Sequence, residues 1–124
     1  MLFRSIHGVA PSVFSGLPAP DAIFVGGTGR EISRLLVAAY HALRPGGNLV
    51  TNVATIESLS ATYQTLKEQA GSVDVRLISV SRGVDQLEMV RLESVNPTFL
   101  LTIHKPEKPT AKNQINQESS LSRQ

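Results

Sequence analysis

Apolar and polar positions along residues 20–53 follow the order of a strand, a glycine loop, a helix and a second strand. Ala22–Val25 is an unbroken apolar run, which is typical of a parallel strand buried on both faces. Residues 49–53, which are mostly apolar, form the next predicted strand. Between them, apolar residues recur at helical spacing at Ile32, Leu35, Leu36, Ala39 and Leu43. The pattern therefore predicts one strand–helix–strand unit with a right-handed crossover.

Glycine, threonine and proline mark the ends of these predicted elements. Gly26 and Gly27 follow the first strand and permit backbone angles and close approaches that a Cβ would forbid. Thr28 followed by Glu31 is a capping box, so the helix is predicted to begin there. The stretch Arg44-Pro45-Gly46-Gly47 ends it, because proline cannot extend a helix and glycine suits a left-handed exit.

A second helix is predicted from the N-cap Thr55 to Ala70, with Gly71 as its stop. Its apolar stripe consists of Ile56, Leu59, Tyr63 and Leu66. Beyond it the sequence predicts a strand over residues 73–81, a turn over residues 82–85, an extended stretch over residues 87–95, a break at Asn96-Pro97 and a last strand over residues 98–104.

The predicted order, strand–helix–strand–helix–strand–strand with a glycine loop after the first strand, is that of the second half of a doubly wound α/β sheet. Ligands of such sheets bind beyond the carboxyl ends of the strands. The loops over residues 26–30, 51–55 and 81–85 are therefore the predicted places for a site.

Composition narrows the classes of protein to consider. A chain of 124 residues with 41% hydrophobic content fits one globular domain of modest core. No apolar run approaches the ~20 residues that span a bilayer, and the amino terminus lacks a secretion signal, so no membrane contact is expected. The absence of cysteine excludes disulfides and thiolate sites and fits a cytoplasmic protein. A net charge of +2 is too small to indicate nucleic acid as a partner.

The last twenty residues differ in composition from the rest. Residues 105–124 contain only Ala111, Ile115 and Leu121 as apolar residues, too few to offset the entropy of ordering the segment. The prediction is a folded domain over residues 1–104 and a disordered tail over residues 105–124.

The glycine loop does not carry a nucleotide-binding fingerprint. The G-x-G-x-x-G pattern from Gly27 would need glycine at Ile32, and no Gly-Lys-Ser/Thr sequence is present. Free N–H groups at a helix start, with Arg30 beside them, would suit a carboxylate, although a tight structural turn explains the glycines equally well. Arg82 is likewise either an anion-binding residue or a solvated turn residue. The three histidines have no carboxylates at metal-ligand spacing, so no metal site is predicted.

Several longer motifs resemble one family of methyltransferases. They are Gly8-x-Ala10-Pro11, Pro20-Asp21-Ala22-Ile23-Phe24-Val25-Gly26-Gly27, Leu43-Arg44-Pro45-Gly46-Gly47, Val80-Ser81-Arg82-Gly83 and Asn96-Pro97. Together they resemble the CbiT-type precorrin methyltransferases, which also form the carboxy-terminal domain of precorrin-6Y C(5,15)-methyltransferase (decarboxylating), CobL. The resemblance runs from about Gly8 to His104. It implies the carboxy-terminal half of a class I (Rossmann-like) α/β fold, with a mostly parallel sheet and an antiparallel last strand.

The resemblance also implies a reaction and a set of site residues. S-adenosyl-L-methionine would be the cofactor, and a methyl group would pass to a ring carbon of a precorrin tetrapyrrole with decarboxylation of an acetate side chain. Ala10, Gly26 and Gly27 would contact the cofactor, while Thr28, Arg30 and Arg82 would bind the carboxylate-rich substrate. No catalytic residue is indicated, because the ring carbon itself is the nucleophile and the protein supplies orientation and electrostatics.

This sequence departs from the family pattern before Asp21, where the first strands and the acidic residue for the cofactor's ribose would be expected. The expectation is a carboxy-terminal piece that lacks activity by itself. Its first strand would expose an apolar edge, so a homo-oligomer or complementation by an amino-terminal half is expected. Two alternatives stay open: a class I methyltransferase with another acceptor such as RNA, and a non-catalytic assembly module. The low aromatic content, 5%, gives the RNA alternative no support.

Overall fold

The computed structural model of the chain describes residues 5–26 and 32–107. Its elements are a short 3₁₀ helix over Ser12–Gly16, β1 (Ala22–Val25), α1 (Ile32–Ala42), β2 (Asn48–Val53), α2 (Ile56–Ala70), β3 (Asp74–Gln86) and β4 (Met89–His104). The predicted order of strands and helices is confirmed. The predicted capping box at Thr28 and Glu31 lies outside the described residues.

The four strands form one sheet in the order β1-β2-β4-β3. β1 and β2 pair in parallel, and β4 runs antiparallel to both of its neighbours, β2 and β3. Three strands therefore point in one direction, and the last strand is reversed between two of them. The sheet is therefore mixed, with one parallel and two antiparallel pairs of strands, and the predicted antiparallel last strand is confirmed.

The hydrophobic core lies between one face of the sheet and the two helices. Alternate residues of the strands point to this face because side chains along a strand alternate between its two sides. The sheet and both helices contribute fully or almost fully buried side chains to this core. They are Val25, Leu49, Val53, Leu101 and Ile103 of the sheet, Leu36 and Ala39 of α1, Leu43 after it, and Leu66 of α2.

The ends of α2 lie where the sequence places them. The Thr55 side chain accepts a hydrogen bond from the backbone N–H of Ser58 at 3.1 Å. Gly71 ends the helix with a φ of +80° and donates its N–H to the carbonyl of Lys67 at 2.8 Å. Ile56, the first residue of the predicted apolar stripe, is 74% exposed. Ile56 is the first residue of α2, at the end of the stripe farthest along the helix from the buried Leu66.

The prediction of a turn over residues 82–85 is also wrong. β3 continues through Arg82 and Gly83 to Gln86, and the turn consists of Leu87 and Glu88, whose φ angles of +49° and +60° define a two-residue hairpin loop. Gly83 fits inside the strand because the side chain of Val90 fills its space: a Cβ at Gly83 would lie 2.9 Å from Val90 Cγ1.

The predicted break at Asn96-Pro97 is instead an irregularity inside β4. Ile78 pairs with Thr98, and the next pair is Val80 with Val95, so two residues of β4 oppose one residue of β3. Such a bulge admits proline, because the bulged strand has a position without a ladder hydrogen bond. The hairpin is therefore one continuous pair of strands rather than three separate segments.

Candidate functional site

The candidate site lies at the edge of the sheet where β1 and β2 end. Thr51, near the end of β2, is completely buried, and its Oγ1 donates a hydrogen bond to the carbonyl of Val25 at 2.8 Å. Val25 is the last residue of β1, and Gly26 follows it directly. A side chain of β2 therefore fixes the backbone at the point where the glycine loop leaves the sheet.

Gly26 places a bare backbone close to the side chain of Phe24. A Cβ at Gly26 would lie 3.1 Å from Cε1 of Phe24, closer than such carbon atoms normally approach. The ring of Phe24 is 63% exposed on the face of the sheet that the helices do not cover. The bare backbone of Gly26 beside an exposed aromatic ring therefore fits a flat ligand that approaches the end of β1 closely.

Polar groups line the neighbouring end of β2. Asn52 follows Thr51, and its Oδ1 is buried without a hydrogen-bond partner among the described residues. Thr98 Oγ1 donates to the carbonyl of Val53 at 3.2 Å, and Thr55 caps α2 immediately beyond. Sequence reasoning gave no role to Thr51 or Asn52. The sequence did offer one signal for such a role. Thr51 and Asn52 are polar residues in an otherwise apolar strand, and they fall within residues 51–55, which were predicted to border a site.

Replacing Thr51 by valine tests whether its hydroxyl holds the end of β1. Thr51→Val keeps the shape of the side chain but leaves the Val25 carbonyl without this donor, so we expect the free energy of unfolding to fall by about 1 kcal/mol. Thr62→Val is the matched control, because Thr62 is equally buried but its Oγ1 has no partner in the described part of the chain. Removing that hydroxyl should raise stability by ~1 kcal/mol. Urea denaturation measures both changes, and equal effects of the two substitutions would contradict the assignment.

The structure describes three of the six residues predicted for the site. Gly26 lies at the carboxyl end of β1, whereas Gly27, Thr28 and Arg30 lie outside the described residues. Ala10 is exposed in the segment before the 3₁₀ helix. The residue next to it, Pro11, lines a groove of about 480 Å³ with Ser33, Arg34 and Val37 of α1 and Thr65 and Glu68 of α2.

Arg82 is exposed and lies on β3, at the opposite edge of the sheet from β1. Leu77 of β3 and Val53 of β2 both pair with Phe99 of β4, so they lie at the same level of the sheet. Arg82 is five positions further along the strand, so it extends roughly 16 Å beyond the end of β2 at ~3.3 Å per residue. Arg82 and Gly26 therefore both lie beyond the carboxyl ends of the parallel-running strands. They are at opposite edges of the sheet and are not neighbours.

The described part of the chain has neither a candidate metal site nor a helix that could cross a membrane. No group of three or more histidine, aspartate or glutamate side chains there is arranged to hold a metal ion. No helix among residues 5–26 and 32–107 has the length and apolar character needed to cross a membrane.

Known proteins with similar sequences are precorrin methyltransferases. The chain is 33% identical over 99 residues to a probable cobalt-precorrin-6B C(15)-methyltransferase (decarboxylating) of Pyrobaculum calidifontis, covering 80% of this chain and 50% of the relative. It is 48% identical over 52 residues to a precorrin-6Y C(5,15)-methyltransferase [decarboxylating] of a Sinorhizobium species, covering 42% of this chain and 12% of that protein. The chain spans about half the length of the first of these relatives.

A solved structure shows the same arrangement of elements. The precorrin-6Y C5,15-methyltransferase of Geobacter metallireducens superposes with a TM-score of 0.74 at 28% identity, over 81% of this chain and 53% of that one. The fold is that of the class I S-adenosylmethionine-dependent methyltransferases, of which the described strands form part. Residues 2–105 match the family model of the precorrin methyltransferase domain, and the chain belongs to that family.

Proposed function

We propose that this chain provides the acceptor-side half of a methyltransferase that transfers a methyl group from S-adenosylmethionine to a precorrin, with loss of carbon dioxide from an acetate side chain. The observation that carries the proposal is the end of β1, where Gly26 places a bare backbone beside Phe24 and Thr51 fixes the preceding carbonyl. This end lies at the carboxyl edge of the sheet, which is where ligands of α/β sheets bind.

The chemistry required of these residues is mainly positioning. S-adenosylmethionine supplies an electrophilic methyl group when it is bound. The acceptor is an electron-rich macrocycle whose ring carbon is the nucleophile, so no side chain needs to form a covalent bond. The chain's contribution is to hold the reacting atoms in line and to exclude water from them.

The predicted binding residues keep their proposed roles. Gly26 and Gly27 would let the cofactor approach the backbone closely, with Ala10 beside its adenine ring. Thr28 and Arg30 would bind substrate carboxylates at the start of α1, where helix N–H groups and a guanidinium favour anions. The exposed guanidinium of Arg82, beyond the carboxyl edge of the sheet, is suited to a carboxylate at the periphery of a large substrate.

The proposed enzyme needs a second half beside β1. Among the described residues, β1 pairs with β2 and with no other strand, so its other side offers backbone groups to a further strand. The chain spans 50% of its Pyrobaculum relative, so a polypeptide equivalent to the other half of that relative would cover this edge. The cytoplasmic location suggested by the sequence stays a prediction.

Methyl transfer by the reconstituted pair tests the proposal. The chain is combined with a polypeptide equivalent to the remaining half of the Pyrobaculum relative, methyl-labelled S-adenosylmethionine and a precorrin-6 substrate. We expect a labelled tetrapyrrole that has gained a methyl group and lost carbon dioxide, detected by mass spectrometry, and no labelled product from either polypeptide alone. A folded complex that methylates RNA but not the tetrapyrrole would overturn the proposal.

A further inference from the structure

Asn52 is a polar side chain near the end of β2, on the face of the sheet that the helices do not cover. Its neighbours along the strand, Thr51 and Val53, are buried toward the helices, and side chains alternate between the two faces of a strand. The Oδ1 atom of Asn52 is buried and has no hydrogen-bond partner among the described residues. Because buried polar atoms are normally paired, this oxygen indicates a hydrogen-bond donor that the described chain does not supply.

Asn52 lies beside Gly26 at the carboxyl edge of the sheet. Val25 of β1 is in register with Thr51 of β2, so one residue further along, Gly26 and Asn52 are neighbours at the strand spacing of roughly 4.8 Å. Phe24, two residues before Gly26, is exposed on the same face. The unpaired oxygen therefore belongs to the same patch as the bare backbone of Gly26 and the ring of Phe24.

The backbone on both sides of Asn52 is held by side-chain hydrogen bonds. Thr51 Oγ1 donates to the carbonyl of Val25 at 2.8 Å, and Thr98 Oγ1 donates to the carbonyl of Val53 at 3.2 Å. These bonds tie the end of β2 to the strands on either side of it. A binding group on a backbone fixed in this way loses little conformational freedom when a ligand binds.

The surroundings of Asn52 on this face are weakly polar. Its partner on β4 is the half-buried Leu100. Arg76, which pairs with Leu100 on the next strand, donates from Nε to Asp74 at 3.0 Å. A hydrogen bond is stronger in weakly polar surroundings than in water. An apolar surface with one unpaired acceptor at its edge matches a flat, largely apolar ring that carries an N–H group.

The position of Asn52 relative to Gly26 favours the methyl acceptor over the cofactor. By the family pattern, the residues that hold the ribose of S-adenosylmethionine precede Asp21, and the half that supplies them would cover the open edge of β1. Asn52 is on β2, so β1 lies between it and that edge. A molecule that reaches Asn52 across Gly26 is therefore on the side of the cofactor where the acceptor binds.

We propose that Asn52 is a substrate-binding residue, whose Oδ1 accepts a hydrogen bond from a ring N–H conjugated with the carbon that receives the methyl group. The inference rests on the function proposed above and assigns that function a residue which the sequence did not indicate. Asn52 as a whole is only half-buried, and the terminal torsion of asparagine is broad, so a rotation of the amide presents the oxygen to a donor on the open face.

This hydrogen bond strengthens as methyl transfer proceeds. A carbon–carbon bond forms between the ring carbon and the methyl group, while the methyl–sulfur bond breaks and leaves its electron pair on sulfur. The ring supplies the electron pair of the new bond, so positive charge develops on the conjugated nitrogen, and its N–H donates more strongly to Oδ1. Loss of carbon dioxide from the acetate carboxylate then returns an electron pair to the ring and removes that charge.

Asn52→Leu tests the proposal in the reconstituted complex, because leucine has a similar shape and no acceptor. We expect the affinity for the precorrin-6 substrate, measured by absorbance titration without S-adenosylmethionine, to fall about tenfold. The rate of methyl transfer in a single turnover should fall further, by about a hundredfold, since the bond is stronger in the transition state. Unchanged affinity and rate would overturn the proposal.

Asn48→Leu is the matched control. Asn48 lies on the same face of β2 at its opposite end, where its Oδ1 is 3.0 Å from Nδ1 of His104. The same substitution there should leave both the affinity for the precorrin and the rate of transfer at the wild-type values. Equal losses for Asn48→Leu and Asn52→Leu would show a general effect on β2 and contradict a specific contact.

Asn52→Asp separates an acceptor from a donor role. Aspartate keeps an accepting oxygen but loses the amide N–H groups, so it should transfer the methyl group faster than Asn52→Leu. If the amide instead donates to a substrate carboxylate, Asn52→Asp should be at least as impaired as Asn52→Leu, and that result would overturn the assignment of Oδ1 as an acceptor.

A purely structural role of Asn52 predicts a different set of results. Because Asn52→Leu removes an unpaired buried oxygen, the variant chain should resist urea at least as well as the wild type. Lower stability, or weaker association of the two polypeptides, with unchanged precorrin affinity of the complex would contradict the proposal. A wild-type complex that is folded but binds no precorrin would overturn the proposed function itself, and with it this inference.

Discussion

Gly47→Ala is expected to lower the free energy of unfolding by about 3 kcal/mol, a large part of the stability of a domain of this size. A Cβ at Gly47 would lie 2.6 Å from the carbonyl oxygen of Asp21, 2.9 Å from that of Arg44 and 2.7 Å from Cδ1 of Leu43. Two of these atoms belong to the backbone, and Leu43 is part of the core. The added methyl group therefore cannot be accommodated by rotation of one exposed side chain.

The matched control is Gly16→Ala. No atom lies within 4 Å of the position that a Cβ would occupy at Gly16, so this substitution should change stability by no more than ~0.5 kcal/mol. Urea denaturation monitored by circular dichroism gives the free energy of unfolding of each variant. The two variants are compared with the same dependence of that free energy on urea concentration. An unchanged midpoint for Gly47→Ala would show that the contact between this turn and the start of β1 is looser than described.

Lys105→Met is expected to lower the free energy of unfolding by about 2 kcal/mol, because Lys105, which directly follows β4, caps the carboxyl end of α1. Its ammonium group donates to the carbonyls of Tyr40 at 3.0 Å and Leu43 at 2.8 Å and lies 3.4 Å from that of His41. The same group lies 5.1 Å from the centre of the Tyr40 ring. A positive charge at this end also interacts favourably with the partial negative charge of the helix terminus.

Lys67→Met provides the comparison for Lys105→Met. Lys67 is exposed on α2, and its ammonium group lies 5.8 Å from the centre of the Tyr63 ring. The loss there should stay below ~0.5 kcal/mol. Thermal denaturation distinguishes the two variants, and equal melting temperatures would show that the bonds from Lys105 contribute little to stability.

The parts of the fold that follow from local chemistry were predictable from the sequence. Thr55 and Gly71 mark the ends of α2, because a side-chain hydroxyl and a left-handed glycine satisfy the terminal backbone groups wherever the helix packs. Ala22–Val25 was recognisable as a strand because it is an uninterrupted apolar run beside a glycine loop.

The hairpin turn was not predictable because its residues are atypical. Gly83 carries the usual turn signal but lies inside β3, where it leaves room for Val90. The turn itself uses Leu87 and Glu88, which propensity would not select. The anchoring of Lys105 depends on a contact with residues more than sixty positions earlier, and no local pattern carries that information.

The candidate site was likewise predictable only where local sequence determines it. The glycine loop after β1 was predictable from strand order, since ligands gather at the carboxyl edge of such sheets. The bond from Thr51 to the Val25 carbonyl joins two strands twenty-six residues apart and required the parallel register of β1 and β2. The position of Arg82 depended on the length of β3, which the sequence underestimated.

The most direct test of the account is calorimetric titration of S-adenosylmethionine. It is carried out on the complex of this chain with a polypeptide equivalent to the remaining half of the Pyrobaculum relative, and on each part alone. We predict binding tighter than ~1 mM, about −4 kcal/mol, by the complex only. Gly16→Val should bind as the wild type does, whereas Gly26→Val, which places a branched side chain beside Phe24, should bind at least about tenfold more weakly. Equal affinity of the Gly26→Val and wild-type complexes would contradict a cofactor site at the end of β1.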